Sequence, residues 1–358
     1  MGSQQQATGS PVADILDRHP FDLAQYEDVY KQIHAHPEPS LHEANTASTV
    51  AKHAALKSYK VHGSIGGHGV AAVLENGSGP VVLLRADMDA LPVEEETGLN
   101  YASKATFTDP DDGSTTGPNE ERGSGAKAMV DDGLYKKVPV PDVVLAQHVM
   151  PSKTGTLTVK KGTMIAAADS FRITLFRRGG HGSMPQLCID PVVLAANVVI
   201  RLQGIVAREI DPAEAAVLTI GSLQAGHTEN VIADKAVLKV DIRIQHAQTR
   251  ERILKAMKRI VEKECEASDC EKPPTFEQTR RFPLTVNDDT IISKLGDTFA
   301  GVFGQAFDPN PSIANASEDV SDLATAMIDR IVCGSSTVST LRSGTRRRKL
   351  DGSLRIFP

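Results

Sequence analysis

The sequence predicts an α/β protein in which a central sheet flanked by helices is interrupted by a complete ferredoxin-like α+β domain. Three observations predict it. Two short apolar runs, "VVLL" at 81–84 and "VVLA" at 143–146, each lead into residues with ligand chemistry. Unbroken runs of this kind suit strands covered on both faces. Between about Lys161 and Pro273 the order of periodic segments is β-α-β-β-α-β, the ferredoxin-like arrangement. Helical patterns on either side of that insert, in a chain of 358 residues, leave material for a core in each of two domains.

The elements follow in order. Residues 20–59 read as two helices broken at "HPEPS", where two prolines stop the first and Ser40 can cap the second. "GVAAV" is a strand, an Asn-Gly turn follows, and "VVLL" ends in "RADMDALP", placing Asp87 and Asp89 beyond the strand's carboxyl end. In open α/β sheets that edge binds ligands. "VVLA" delivers His148 to the same edge. Between the two lies 109–125, made largely of turn formers, with the adjacent pair Glu120–Glu121; "GAKAMVDDGLY" after it is a short helix ending near Gly133.

From Lys161 the grammar changes. "DSFRITLF" alternates with period two, so one face is wet. "GGHGSMPQ" is a loop carrying His181. "DPVVLAANVVIRLQGIVAREI" is a helix with Asp190 as N-cap and Pro191 at the first helical position. The strands "AAVLTIGSL" and "KAVLKVDIRIQ", the helix "TRERILKAMKRIVEKECEA" and the strand "PTFEQT" complete the unit. "NDDTIISKLGDTFAGVFG" is again helical, and "NASEDVSDLATAM" is an acidic loop and helix. Residues 330–358 are rich in Ser, Thr and Arg without apolar periodicity and read as a solvated, disordered tail, with a targeting or nucleic-acid patch at "RRRK" as the less favoured alternative.

Composition narrows the function. A net charge of −6, 4% aromatics and no Trp argue against nucleic acid or an anionic membrane as partner. The N-terminal residues show no secretory signal, and no apolar run approaches the roughly 18 residues of a membrane helix. The four cysteines form no CxxC pair, so reduced thiols and a cytoplasmic location are expected.

The candidates for chemistry are Asp87, Asp89, Glu120, Glu121, His148, His181, Glu318 and Asp319. Carboxylates and a neutral imidazole suit zinc or a similar divalent ion. An adjacent Glu-Glu pair fits such a site: one member coordinates, and the other takes a proton from the attacking water. A serine hydrolase built on His181 and Ser183 lacks the strand–GxSxG–helix context of a nucleophile elbow.

The ordered segments "LRADMDALPVEEETGLNYAS", "GPNEERGSGAKAMVDDGLY", "AQHVMP", "GGHGSMPQ", "NVIADKAVLKVDIR" and "NASEDVSDLA" resemble metallopeptidase family M20, in its aminoacylase, hippurate hydrolase and auxin-amide amidohydrolase branch. The likeness runs from about Tyr30 to Asp322. It implies an M20-type catalytic domain with a mixed central sheet and two divalent ions (Zn, Mn or Co), and an inserted lid that dimerises. It implies hydrolysis of the amide of N-acyl amino acids or amino acid conjugates. Carried over by residue, Glu120 matches the general base, Glu121 and His148 match metal ligands, and Asp89 and Asp87 match the aspartates near the metals. His181 matches a histidine that holds the scissile carbonyl or the substrate carboxylate, and Asn230 belongs to the lid segment facing the site. The corresponding domains are 1–161, 162–274 as the lid, 275–329, and the tail 330–358.

The sequence also departs from that branch. Where a Cys-Gly-His-Asp motif, a helix and a strand are expected near 103–118, only "KATFTDPDDGSTTG" stands, and no His follows His246. Of five expected protein ligands, two are present. Exposed apolar surface is expected where the helix and strand are missing. A catalytically inactive M20-like protein that binds small amides or dimerises is therefore the alternative to an amidohydrolase.

Overall fold

The computed structural model describes residues 11–20, 22–90, 94–108, 115–116, 125–150, 153–326 and 331–336. Helices α1 (Ala24–Ala35) and α2 (Ala44–Leu56) precede a hairpin of β1 (Lys60–Ile65) and β2 (Gly69–Val73). Ser40 does not cap α2. The carboxylate of Glu38 accepts the backbone N–H groups of Asn45 and Thr46 at 3.1 and 2.7 Å, while Ser40 Oγ donates to Asp89. A longer side chain reaches the open helix end from farther back in the loop.

The central sheet contains β3 (Val82–Arg85), β4 (Val143–Val149), β5 (Leu157–Val159), β12 (Phe307–Asp308) and β13 (Ile331–Ser336), in the order β12-β5-β13-β4-β3. It is mixed: β3, β4 and β13 run parallel, and β13 meets β5 antiparallel. Between β3 and β4 lie α3 (Gly125–Asp131) and α4 (Leu134–Lys137). Gly133 separates them with φ +80°, the left-handed region that favours glycine.

The insert is built on β7 (Ala167–Phe176), α5 (Pro191–Glu209), β8 (Ala216–Ala225), β9 (Lys235–Ile244), α6 (Ala247–Ala267) and β10 (Thr275–Phe282), with β6 (Gly162–Ile165) and β11 (Thr285–Asn287) pairing at its root. The sheet order is β8-β9-β7-β10, the ferredoxin-like order. Asp190 accepts from Val192 N at 2.8 Å and caps α5 with Pro191 behind it. By length and composition α5 could cross a membrane, contrary to the expectation of no such run. Here Leu194, Val198, Leu202 and Ile205 are buried in the lid core, and the periodic face explains its hydrophobicity.

Three further expectations change. The lid runs past residue 274 to Phe282, because Thr275–Phe282 pairs with β7 throughout. The tail does not begin at 330: Ile331–Ser336 is an inner strand of the central sheet. Its apolar trio, Ile331, Val332 and Cys333, is short enough to be hidden among the Ser, Thr and Arg that follow. The buried Asn287 holds this strand, accepting from Cys333 N at 2.6 Å and donating to Cys333 O at 2.9 Å. Residues 337–358 lie outside the described residues.

The third change concerns "VVLL". The run forms β3, yet it is not covered on both faces: Leu84 is 78% exposed and Val82 50%. Among the described residues β3 pairs only with β4, so it is an edge strand. The bare face is the exposed apolar surface expected from the missing helix and strand. Such an edge invites association. Leu84→Lys is expected to raise the concentration at which the protein stays monodisperse in light scattering; no change would show that this face is not the sticky one.

Candidate functional site

The parallel pair β3 and β4 sets the site. Arg85 and Ala146 are register partners, so Asp87, just past the end of β3, and His148, near the end of β4, lie side by side. His148 Nε2 lies 4.0 Å from Asp87 Oδ2. His148 Nδ1 is 2.7 Å from the carbonyl of Val149, an acceptor only, so this nitrogen carries the proton when the ring is neutral and Nε2 is left with its lone pair.

The acidic loop before α7 (Ser321–Thr325) closes the site from the other side. Arg85 binds across it: Nη1 donates to Glu318 Oε2 at 2.9 Å and Nη2 to Asp319 Oδ1 at 2.7 Å, and Arg85 also pairs with Asp87. Asp319 Oδ2 accepts the N–H of Ala126 at 2.8 Å, at the start of α3, where a carboxylate meets unsatisfied backbone donors. Glu318 Oε1 takes the N–H groups of Asp319 and Val320.

Three carboxylates thus share one guanidinium. Glu318, only 4% exposed, is the one least able to ionise. Burial pushes its pKa up from 4.5 to about 7; Arg85 opposes the rise, and Asp87 and Asp319 add to it. Burial likewise raises Asp87. The folded state therefore holds the Glu318 proton more tightly than the unfolded chain does. The resulting stability is complete below about pH 4.5 and is lost as pH rises through about 7. Denaturant midpoints are expected to fall from pH 5 to 8, and Glu318→Gln should flatten that slope. An equally steep slope in the variant would place its origin elsewhere.

Asp87, His148 and Glu318 present ligand atoms within 4.8 Å of one another. Both oxygens of Glu318 are, however, already bound to Arg85 or backbone N–H groups, and Asp87 gives one oxygen to Arg85. Of these three side chains, the uncommitted donor atoms are His148 Nε2 and Asp87 Oδ2. A catalytic zinc takes three protein ligands, and two ions need more. The described residues therefore do not fit a two-metal centre.

The other candidates are placed as follows. Glu120 and Glu121 lie outside the described residues. Asp89 Oδ2 accepts from Ser40 Oγ at 2.5 Å, beside the cleft. His181 and Asn230 meet on the lid, where Gly182 N–H donates to Asn230 O at 2.8 Å. Both are exposed, and neither lines the cleft of about 1170 Å³ onto which Asp87, Asp89, His148, Glu318 and Asp319 open. His181 Nδ1 accepts from Ser183 Oγ at 2.7 Å and from Ser183 N at 3.2 Å, a local turn without the elbow a nucleophile needs. Reasoning from the sequence missed Arg85, although it adjoins the "DMD" and is the one cation in that stretch.

Known proteins bear on this geometry. Residues 166–269 match the family model for the peptidase dimerisation domain. The chain is 34% identical to a hippurate hydrolase of Campylobacter jejuni, with 86% of each covered, and 29% identical to an N-acetyl-L-cysteine deacetylase of Bacillus subtilis, with 86% of this chain and 81% of that protein covered. Since 86% of 358 residues is about 308, about 30 of the 338 positions aligned with the hippurate hydrolase are gaps in this chain. The solved structure of the Bacillus subtilis YXEP protein, a dinuclear metal-binding peptidase, shares the fold at a TM-score of 0.64 and 22% identity, with 87% of this chain and 88% of that one covered. Motif order, topology and relatives agree: this chain belongs to the M20 peptidase family.

Proposed function

We propose that this chain is an amidohydrolase acting on the amide bond of N-acyl amino acids. The observation that carries the reading is the convergence of Asp87 and His148 on one sheet edge over an open cleft, in a chain 34% identical to a hippurate hydrolase. The cleft is wide enough for a small acylated amino acid. Glu120 serves as the general base that takes the proton of the attacking water. Glu121 and His148 are the protein's contributions to a divalent ion, with zinc, manganese and cobalt as candidates. His181 and Asn230, joined on the lid loop outside this cleft, are the lid's candidates for holding the substrate, and Asp89 supports the edge from beside Ser40.

The matched dimerisation domain supports a homodimer through the lid. On α5, Val193 and Ile200 are exposed and seven residues apart on one face, and β8, a lid edge strand, exposes Val217 and Leu223. Four free cysteines suit a reducing compartment, and we place the protein in the cytoplasm. The commitment of Arg85 to three carboxylates, together with the gaps, favours a second reading: an M20-like protein that binds small amides without cleaving them.

The purified chain distinguishes the two. Metal content and hydrolysis of benzoyl- and acetyl-amino acids are measured after loading with zinc, manganese or cobalt. As an amidohydrolase, the chain turns over, Glu120→Gln costs at least about a hundredfold at unchanged metal content, and Glu121→Ala lowers metal content. A folded dimer with neither metal nor turnover would establish the second reading instead.

A further inference from the structure

Outside the cleft, the structure brings two cysteines and a poorly satisfied cation together at the end of α6. Cys265 is buried in the last turn of the helix. Asp269, with φ +54°, reverses the chain, and the N–H of Cys270 donates back to the carbonyl of Cys265 at 3.0 Å. That bond brings the backbones of the two cysteines together across the turn. Cys270 is half-buried, the more accessible of the pair.

Arg177, just beyond the end of β7, points into this turn. Its Nη1 donates to Cys270 Sγ and, at 3.4 Å, to the carbonyl of Ser268. Its Nε and Nη2 are buried without a hydrogen-bond partner among the described residues. The neighbouring carboxylate Glu271 is engaged instead by Arg178, at 3.0 Å. Among the described residues the guanidinium thus has Cys270 Sγ and one carbonyl as its acceptors, and no carboxylate. A thiolate beside arginine is the reactive form of cysteine. At Cys265, burial and then the adjacent Cys270 push the thiol up to about 12.

We propose that Cys270 and Cys265 form a peroxide-sensitive dithiol, with Cys270, held by Arg177, as the attacking sulfur and Cys265 as the resolving thiol. In the first step Cys270 Sγ attacks hydrogen peroxide. The S–O bond forms, the O–O bond breaks, and the departing hydroxide takes a proton to become water. In the second step Cys265 Sγ attacks the sulfenic sulfur. The S–S bond forms, the S–O bond breaks, and the hydroxide leaves with the Cys265 proton as a second water. Two thiols are oxidised and one peroxide is reduced to two waters.

The test uses the full chain. Trypsin releases Glu264–Arg280 with both cysteines, because Lys272 precedes Pro273. After stoichiometric hydrogen peroxide, that peptide is expected to be lighter by two hydrogens and to resist alkylation until reduced. Without peroxide, iodoacetamide should label Cys270 at least about tenfold faster than Cys188 at pH 7, and Arg177→Met should remove about that factor. Arg177→Lys, which keeps the charge, should restore much of the rate and guards against misreading a folding defect. In Cys265→Ser, oxidation should stop at a sulfenic acid that dimedone captures. Equal labelling of Cys270 and Cys188, or peroxide carrying Cys270 to the sulfonic acid with Cys265 left free, would overturn the proposal.

Discussion

Arg85→Ala is expected to destabilise the catalytic domain by about 3–5 kcal/mol, a large share of the roughly 5–15 kcal/mol that holds a domain together. The guanidinium is the shared partner of Asp87, Glu318 and Asp319, and the latter two are buried. Its removal leaves three carboxylates facing one another at a sheet edge where water does not reach two of them. The loss has a pH signature. Without Arg85 the carboxylates hold their protons to higher pH in the folded state than in the unfolded chain. The stability lost is therefore smaller at pH 5 than at pH 8. Urea denaturation of both proteins at the two pH values measures it. A loss below about 1 kcal/mol at pH 8 would mean that Arg85 is not the ion holding the cluster together.

Asp169→Ala is expected to cost the lid a similar amount, about 3–5 kcal/mol, for the same reason with the charges exchanged. Asp169 is fully buried on β7. Its Oδ2 accepts from Arg250 Nε and its Oδ1 from Arg250 Nη2, both at 2.7 Å, and Gln278 Nε2 donates to Oδ1 at 2.7 Å. One carboxylate thus ties the first turn of α6 and the strand β10 to the central strand of the lid sheet. Truncation leaves a guanidinium of low exposure with no anion and an amide with no acceptor. Asp169→Leu, which fills the volume but not the charge, should be little better than alanine, whereas Asp169→Leu combined with Arg250→Met should recover part of the loss. Failure of that double variant to recover any stability would mean that packing, and not the stranded cation, dominates.

Much of the lid was legible from the sequence, and the reason is physical. Its strands alternate with period two and its helices with period 3.6, and "DP" at 190–191 caps and opens α5 through contacts within three residues. Signals of that range survive in a linear reading. The ends of the lid did not, because whether Thr275–Phe282 belongs to it depends on pairing with β7, about a hundred residues earlier. The same holds for Ile331–Ser336. Its six residues carry little pattern of their own and become an inner strand only between β4 and β5, with Asn287 fixing both sides of Cys333.

The site divides along the same line. The residue types, their order, and the arrival of Asp87 and His148 at strand ends could be read from the chain, because each follows from a local apolar run and what comes after it. That Arg85 gathers Glu318 and Asp319 from 233 and 234 residues away could not be read. Nor could the bareness of Val82 and Leu84, since coverage depends on what neighbours the strand and not on the strand itself. The sequence alone determined the family, the strand-and-helix grammar and the candidate donors, all encoded in short-range periodicity and ordered motifs. Only the tertiary structure decided which carboxylates meet one cation and which strand lies at the edge, because charge pairing and sheet order are set by packing between segments that the chain keeps far apart.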